Sequence, residues 1–429
     1  MHPPPPMQGP ARWLTRERIG GYAIVLAIVE CALFAFCVAG AHGWIVPLSS
    51  PGSTDFVSFH AAGALANAGT PWLAYNDAAH LAAERAAAGA SIGHNFFFYP
   101  PVYLLICAPL ARLPYLVAYV LFQTVTALAC LAAARLIRKD LPIAVLLAFP
   151  AVWWTFGTGQ NAFLTAALFA AGTATIDRRP WLAGLCLGAL CYKPHFGLLI
   201  PVALAAGGHW RAFASAAATA IALILASVAL FGQETWQAFL TAALASGDVY
   251  GGKVFMAGLT SPYGVAIVAG AGRQTALAIQ AVAAVLVALA VAWAWRRRLS
   301  LPLRAAMLLT ATPIAVPVLM FYDLMLVFVA LVWLSLDRAR FGWPAWRTAL
   351  MASLFLAPLF SGNLGAEFHW MFAAIAASGA LVLALSAAWR PACIVQRPAA
   401  AMAAARVENS GGTARPKRGA PDDLFEIVR

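Results

Sequence analysis

The run IGGYAIVLAIVECALFAFCVAGA, residues 19–41, is an apolar stretch of about 22 residues, long enough to cross a lipid bilayer. It follows Arg12, Arg16 and Arg18, the layout of a signal sequence, but its apolar part is long and no small-residue cleavage site precedes His42. We therefore read it as a retained first span with its N-terminus in the cytoplasm, and residues 1–18, including HPPPPMQGP, as a disordered lead-in.

The rest of the chain has the same character. Of 429 residues, 62% are hydrophobic and 10% charged, with a mean hydropathy of +0.79; a soluble domain carries about 25% charged residues. This is the composition of an integral membrane protein. The net charge of +12 does not point to nucleic acid, because the basic residues sit in short groups between apolar runs: Arg178/Arg179, Arg296 to Arg298, Arg338/Arg340 and the tail. The positive-inside rule produces that distribution. Cys31, Cys37, Cys107, Cys130, Cys186 and Cys191 all fall in apolar segments without metal-ligand or disulfide spacing, and read as small hydrophobes.

The first span exports a loop, residues 42–98. Tyr99 to Leu110 is broken by Pro100, Pro101 and Pro109 and reads as a half-helix dipping from the outer face. Crossings follow at Tyr115–Leu136, Leu141–Phe156 and Ala162–Ile176. Trp181–Tyr192 and Phe196–Ala206 form a broken pair around Lys193-Pro194-His195, each arm too short to cross alone. Phe213–Phe231 leads into a second external loop, 232–273, and further segments cover Thr275–Trp295, Leu303–Met320, Leu324–Leu336, Thr348–Ser361 and Phe368–Trp389. The reading is an all-α polytopic membrane protein of about twelve crossings, with every multi-arginine group inside. The membrane domain spans 19–390, and the Ala/Pro/Arg-rich tail 391–429 is expected to be disordered and cytoplasmic. No inverted repeat of the transporter kind is visible.

On this topology the outer carboxylates are Asp55, Asp77, Glu84, Glu234, Asp248, Asp323 and Glu367. Asp55 opens Phe56-Val57-Ser58-Phe59-His60-Ala61-Ala62-Gly63, expected as an interfacial helix, and is either its N-cap or a reactive group. Lys193 is either a snorkelling lysine or, with the helix start expected at Pro194, a phosphate site. Gly184 and Gly188, four apart, read as close helix packing. Gln160 and Asn161 are loop residues or ligands for sugar hydroxyls, and Asp323, entering an apolar run behind Tyr322, needs a partner. His60, His94 and His195 have no metal-binding spacing, and no DxD-type pair or soluble nucleotide-binding segment is present.

Asp55 with Phe59 and Gly63, then Gly69, Tyr75, Tyr99-Pro100-Pro101, Gly159-Gln160-Asn161, Ala183-Gly184 through Lys193-Pro194, Ser261-Pro262 and Tyr322-Asp323 form an ordered set. In that order they resemble glycosyltransferase family 87, membrane enzymes of the GT-C superfamily. The resemblance implies a GT-C fold, a polyprenyl-phosphate sugar as donor (mannose in the best-understood members), a lipid or glycan hydroxyl as acceptor, and catalysis on the extracytoplasmic face of a plasma membrane, here the bacterial inner membrane. It implies Asp55 as general base, Lys193, His195 and Tyr99 around the donor phosphate, and Gln160, Asn161, His60, Tyr322 and Asp323 around sugar and acceptor. No cofactor or metal is called for. The pattern departs at Tyr322-Asp323, near which the phosphatidylinositol-mannoside mannosyltransferases carry a histidine, so sugar and acceptor stay open. The rival reading is a transporter or lipid flippase, whose key charges belong near the midplane; clustering at the outer face favours an enzyme.

Overall fold

The computed structural model describes residues 16–39, 54–89, 92–245, 258–361 and 371–389. The described part up to Ala388 forms one unit; of the second unit, 389–429, only Trp389 is described. The expectations for Asp248, Glu367, residues 1–15 and residues 390–429 lie outside the described residues. Every regular element described is helical, and the β-type pairing found there is an isolated antiparallel bridge between Leu259 and Met320.

In order the helices are α1 (Arg16–Ala39), α2 (Phe56–Asn67), α3 (Asp77–Ala88), α4 (Leu104–Leu110), α5 (Tyr115–Ile137), α6 (Ile143–Leu147), α7 (Pro150–Thr158), α8 (Ala162–Thr175) and α9 (Pro180–Ala189). There follow α10 (Ile200–Ala206), α11 (Trp210–Phe231), α12 (Gln233–Ala245), α13 (Pro262–Val268), α14 (Arg273–Arg296), α15 (Leu301–Ala315), α16 (Met325–Phe341), α17 (Ala345–Leu356) and α18 (Phe372–Ala388). Four of them, α1, α5, α11 and α14, are long and apolar enough to cross a membrane.

The burial pattern is that of a protein solvated by lipid. At the centre, α15 is buried from Leu303 to Ala315 and α16 from Met325 to Leu334, with α14 and α18 packed on α15. The long helix α11 buries only Ala212 and Ser227 and leaves Leu225 and Leu230 exposed. A face like this would drive association in water, whereas hydrocarbon solvates it as well as a protein core does. Where α11 does pack, on α9, the approach is close: a Cβ on Gly184 or Gly188 would lie 2.4 Å from Ala212 O or 2.3 Å from Ala216 O.

Several segments differ from expectation. α1 starts at Arg16, inside the stretch read as disordered. The crossing expected at Leu141–Phe156 is two helices, α6 and α7, parted at Phe149-Pro150 because proline cannot donate to the preceding turn. The half-helix at 99–110 is a 3-10 turn, Pro101–Tyr103, followed by α4. Most consequentially, α2 is packed inside the protein on every side of its first two turns and not on one face alone. Phe56 through Gly63 are all buried, and Gly63 lets the α4 backbone in so closely that a Cβ would meet Cys107 O at 2.1 Å.

Candidate active site

Asp55 stands at the N-cap position of α2, yet its side chain makes no capping hydrogen bond. Its backbone N–H donates to Thr158 O at the end of α7 (2.8 Å), and its Oδ2 accepts from Gln160 Nε2 at 2.6 Å. The bland reading of Asp55 as a helix cap therefore fails on geometry. The turn that delivers Gln160 depends on Gly159, which ends α7 at φ +71°, a conformation that disfavours any residue with a Cβ. A Cβ there would also come within 2.8 Å of Phe56 Cβ. Gln160 is fixed at three points: its Nε2 on Asp55, its Oε1 accepting from Tyr99 OH (3.2 Å), and its carbonyl accepting from Gln123 Nε2 (3.0 Å). A carboxamide so tied presents its N–H to the carboxylate in one orientation.

Lys193 lies in the gap of the broken helix pair, between the 3-10 turns Leu190–Tyr192 and Pro194–Leu198. Its buried Nζ donates to both oxygens of Asp323, at 3.1 and 3.4 Å. The rings of Phe196, Tyr322 and Tyr99 stand 5.1, 5.6 and 6.0 Å from it, so the cation is held by a carboxylate and an aromatic cage. The segment carrying Tyr322 and Asp323 is itself anchored: Thr260 N–H donates to Leu319 O (2.8 Å) and Ser261 Oγ to Pro317 O (2.5 Å). Ser261-Pro262, part of the family-like pattern, thus acts as scaffolding for Asp323.

Tyr99 joins the two halves, its hydroxyl on Gln160 and its ring towards Lys193. Direct contacts consequently connect Asp55, Gln160, Tyr99, Lys193, Tyr322 and Asp323, which are up to 268 positions apart in the chain on arithmetic from residues 55 and 323. Burial raises the Asp55 carboxyl above its ordinary value, against the opposing pull of the Gln160 hydrogen bond and the Lys193 charge. A carboxylate so placed is a better proton acceptor than one in water. Asn161, fully buried, has its side-chain amide beside the hydroxyls of Tyr99 and Tyr103.

Two of the expected ligands are not brought into this cluster. His60 Nε2 pairs with Leu113 O (3.0 Å) and its ring meets Tyr115 edge-on; five residues beyond Asp55 the helix has turned by roughly 140°. His195 is exposed and rests on Phe196. The helix start expected at Pro194 is a five-residue 3-10 turn, too short to present aligned amides to an anion, and Lys193 already holds a carboxylate. Conversely, Gln123, Tyr103 and Phe196 were not singled out from the sequence; an apolar run hides one glutamine or tyrosine among many. Among the described residues no group of three or more His, Cys, Asp and Glu side chains has an arrangement that holds a metal ion.

The model of glycosyltransferase family 87 matches residues 97–321, just over half of the chain. The chain belongs to glycosyltransferase family 87. The matched family-87 region holds Tyr99, Gln160, Asn161, Lys193 and His195; Asp55 precedes it, and Tyr322 and Asp323 follow directly. No curated protein and no solved structure matches. Family membership and the four long apolar helices make this an integral membrane glycosyltransferase.

Proposed function

We propose that this family-87 enzyme moves a hexosyl group, in the manner of the mannosyltransferases, from a polyprenyl phosphate to a hydroxyl of a lipid or glycan acceptor. The reading carries a GT-C arrangement of about twelve crossings, both tails in the cytoplasm, and a site on the extracytoplasmic face of a bacterial inner membrane. One observation supports it above the others: the Asp55 carboxylate, released from capping and aimed by Gln160, faces a cluster that also holds a caged lysine.

The acceptor oxygen attacks the anomeric carbon while its proton passes to Asp55. The bond from that carbon to the phosphate oxygen breaks, and polyprenyl phosphate leaves with the electron pair. Lys193 has three N–H donors, and Asp323 occupies one face of the ammonium; a remaining donor, with the hydroxyl of Tyr322, meets the phosphate beside the Tyr99 ring. Asp323 on this view sets the position of the lysine, and Asn161, whose amide faces the hydroxyls of Tyr99 and Tyr103, lines the sugar side of the site.

Replacing Asp55 by Asn keeps the shape and removes the base. Transfer from a radiolabelled polyprenyl-phosphate hexose should fall by about 10²–10⁴-fold, while binding of that lipid persists. Turnover retained in Asp55→Asn would sink the assignment.

A further inference from the structure

A cavity of about 750 Å³ opens beside the 3-10 turn Pro71–Tyr75, walled by that turn, the segment 94–98 and the end of α12. Its size suits a small organic ligand. Trp72, 37% exposed, and Tyr75 form one side. Phe96 and Phe98 stack on each other at 5.4 Å while Phe97 between them turns into the core. Asn76 and Asp77 supply polar groups, the Asp77 side chain being 76% exposed. The aromatic wall is rigidly backed: buried Glu84 accepts from His94 Nδ1 (3.0 Å) and from the backbone N–H of Asn95 (3.1 Å).

This chemistry selects the occupant. Among the described residues no lysine or arginine lines the cavity, and the exposed Asp77 carboxylate, 3.6 Å from His94 Nε2, does, so a phosphate or other anionic headgroup is disfavoured. A hydrocarbon tail would leave Asn76, Asp77 and His94 facing apolar groups. A neutral sugar ring fits both features: its C–H face lies on aromatic rings, whose faces carry negative charge density, and its hydroxyls donate to a carboxylate. The cavity is also coupled to the reacting groups. Tyr75 OH donates to Tyr99 O (2.8 Å), Tyr99 OH to Gln160 Oε1, and Gln160 Nε2 to Asp55.

We propose that this cavity binds a neutral saccharide portion of the acceptor, stacked on Trp72 and Phe98 and hydrogen-bonded to Asp77, with the nucleophilic hydroxyl directed past Tyr75 towards Asp55. The inference rests on the glycosyl-transfer reading above, and deepens it by placing a glycan on the acceptor side.

The full-length protein in lipid nanodiscs can be probed by saturation-transfer difference NMR with mannose, α-1,6-mannobiose, maltose and cellobiose, and with inositol phosphate as the anionic competitor. At least one saccharide should take up saturation through its ring C–H protons. Trp72→Ala should cut that signal at least fivefold with the melting temperature unchanged, and Trp72→Phe should restore it. Equal signals from wild type and Trp72→Ala, no signal from any saccharide, or preference for inositol phosphate would overturn the proposal. Comparing a binding disaccharide with its octyl glycoside separates the sources: tighter binding of the glycoside marks a lipid-linked acceptor, equal binding a free glycan, each upholding the site. In parallel, wild-type release of hexose from a polyprenyl phosphate tests the underlying reading. Saccharide binding without any donor consumption removes the function and keeps the cavity, and the reverse result removes the cavity alone.

Discussion

Lys193 and Asp323 offer the sharpest test of how this site is held together. Their side chains are 6% and 3% exposed, and the ammonium donates to both carboxylate oxygens. Breaking so buried a pair by removing one partner costs about 3–5 kcal/mol, because the other charge is left uncompensated; replacing both by apolar residues of similar volume is often neutral or stabilising. Lys193→Met and Asp323→Leu should therefore each lower stability by roughly two to four decades in the folded-to-unfolded ratio, and the double variant should recover most of that loss. Thermal unfolding in detergent, followed by monodisperse gel filtration, reads the first quantity. Hexose transfer by the double variant reads the second, and on the proposed mechanism should stay abolished, since the cation assigned to the phosphate is gone. Single variants that each cost under about 1 kcal/mol, the range of solvent-exposed pairs, would refute a desolvated ion pair. A stable double variant with full transfer would refute a role for Lys193 in the reaction.

Three further outcomes follow from the same geometry. Burial raises Asp55 and the Gln160 hydrogen bond lowers it, so the base works only above an elevated titration; the acid limb of kcat/KM should lie above the ordinary carboxylate range and move higher still in Gln160→Leu, and an unmoved limb would disprove the coupling. Gly63→Val should cost about 1–3 kcal/mol through overpacking, because its Cβ would strike the Cys107 backbone rather than a side chain able to rotate away; an unchanged melting temperature would show the α2–α4 contact to be looser. Burial holds His80 down to about 3 against an ordinary 6.5, so its contribution is full above 6.5 and is lost as pH falls towards 3, while Glu84, raised by burial, works in the opposite sense. Hydrogen exchange in α3 should then accelerate less between about pH 6 and 4 in His80→Gln than in wild type, and identical profiles would contradict it.

What the sequence revealed and what it hid have different physical origins. Some breaks are legible because proline imposes them locally: the interruption at Pro100-Pro101 and the parted arms around Lys193-Pro194 were read from residue type, and the structure has a break at each, whereas the one at Phe149-Pro150 was read through. Close packing at Gly184 and Gly188 was legible from residue type as well. Partnership was not. Nothing near Lys193 announces Asp323, 130 positions away, and an isolated lysine beside a proline reads naturally as an anion site. How completely α2 is buried was not legible, because an apolar helix with Phe on one face looks alike at a membrane surface and inside a protein; the arrival of α4 at Gly63 shows the packing. For His60, proximity in sequence to Asp55 does not put the side chain on the same face of the helix, and its ring meets Leu113 O instead.

These observations converge on why the site consists of interruptions. Asp55 precedes a helix, Gln160 follows the left-handed Gly159, Lys193 sits between two 3-10 turns, and Asp323 lies in a third. A continuous membrane helix satisfies its own backbone and turns its polar side chains towards one stripe; a broken one frees side chains to point along the bundle, at the cost of backbone groups that lipid cannot solvate. Here those groups are met inside the protein: Thr158 O by the Asp55 N–H, Gln160 O by Gln123, Leu319 O by the Thr260 N–H. The lipid-facing helices α11 and α14 carry no such breaks, and α15 and α16, which flank the Asp323 turn, are almost wholly buried. The candidate reactive groups thus lie where the chain is irregular, and among the described residues these interruptions are surrounded by protein.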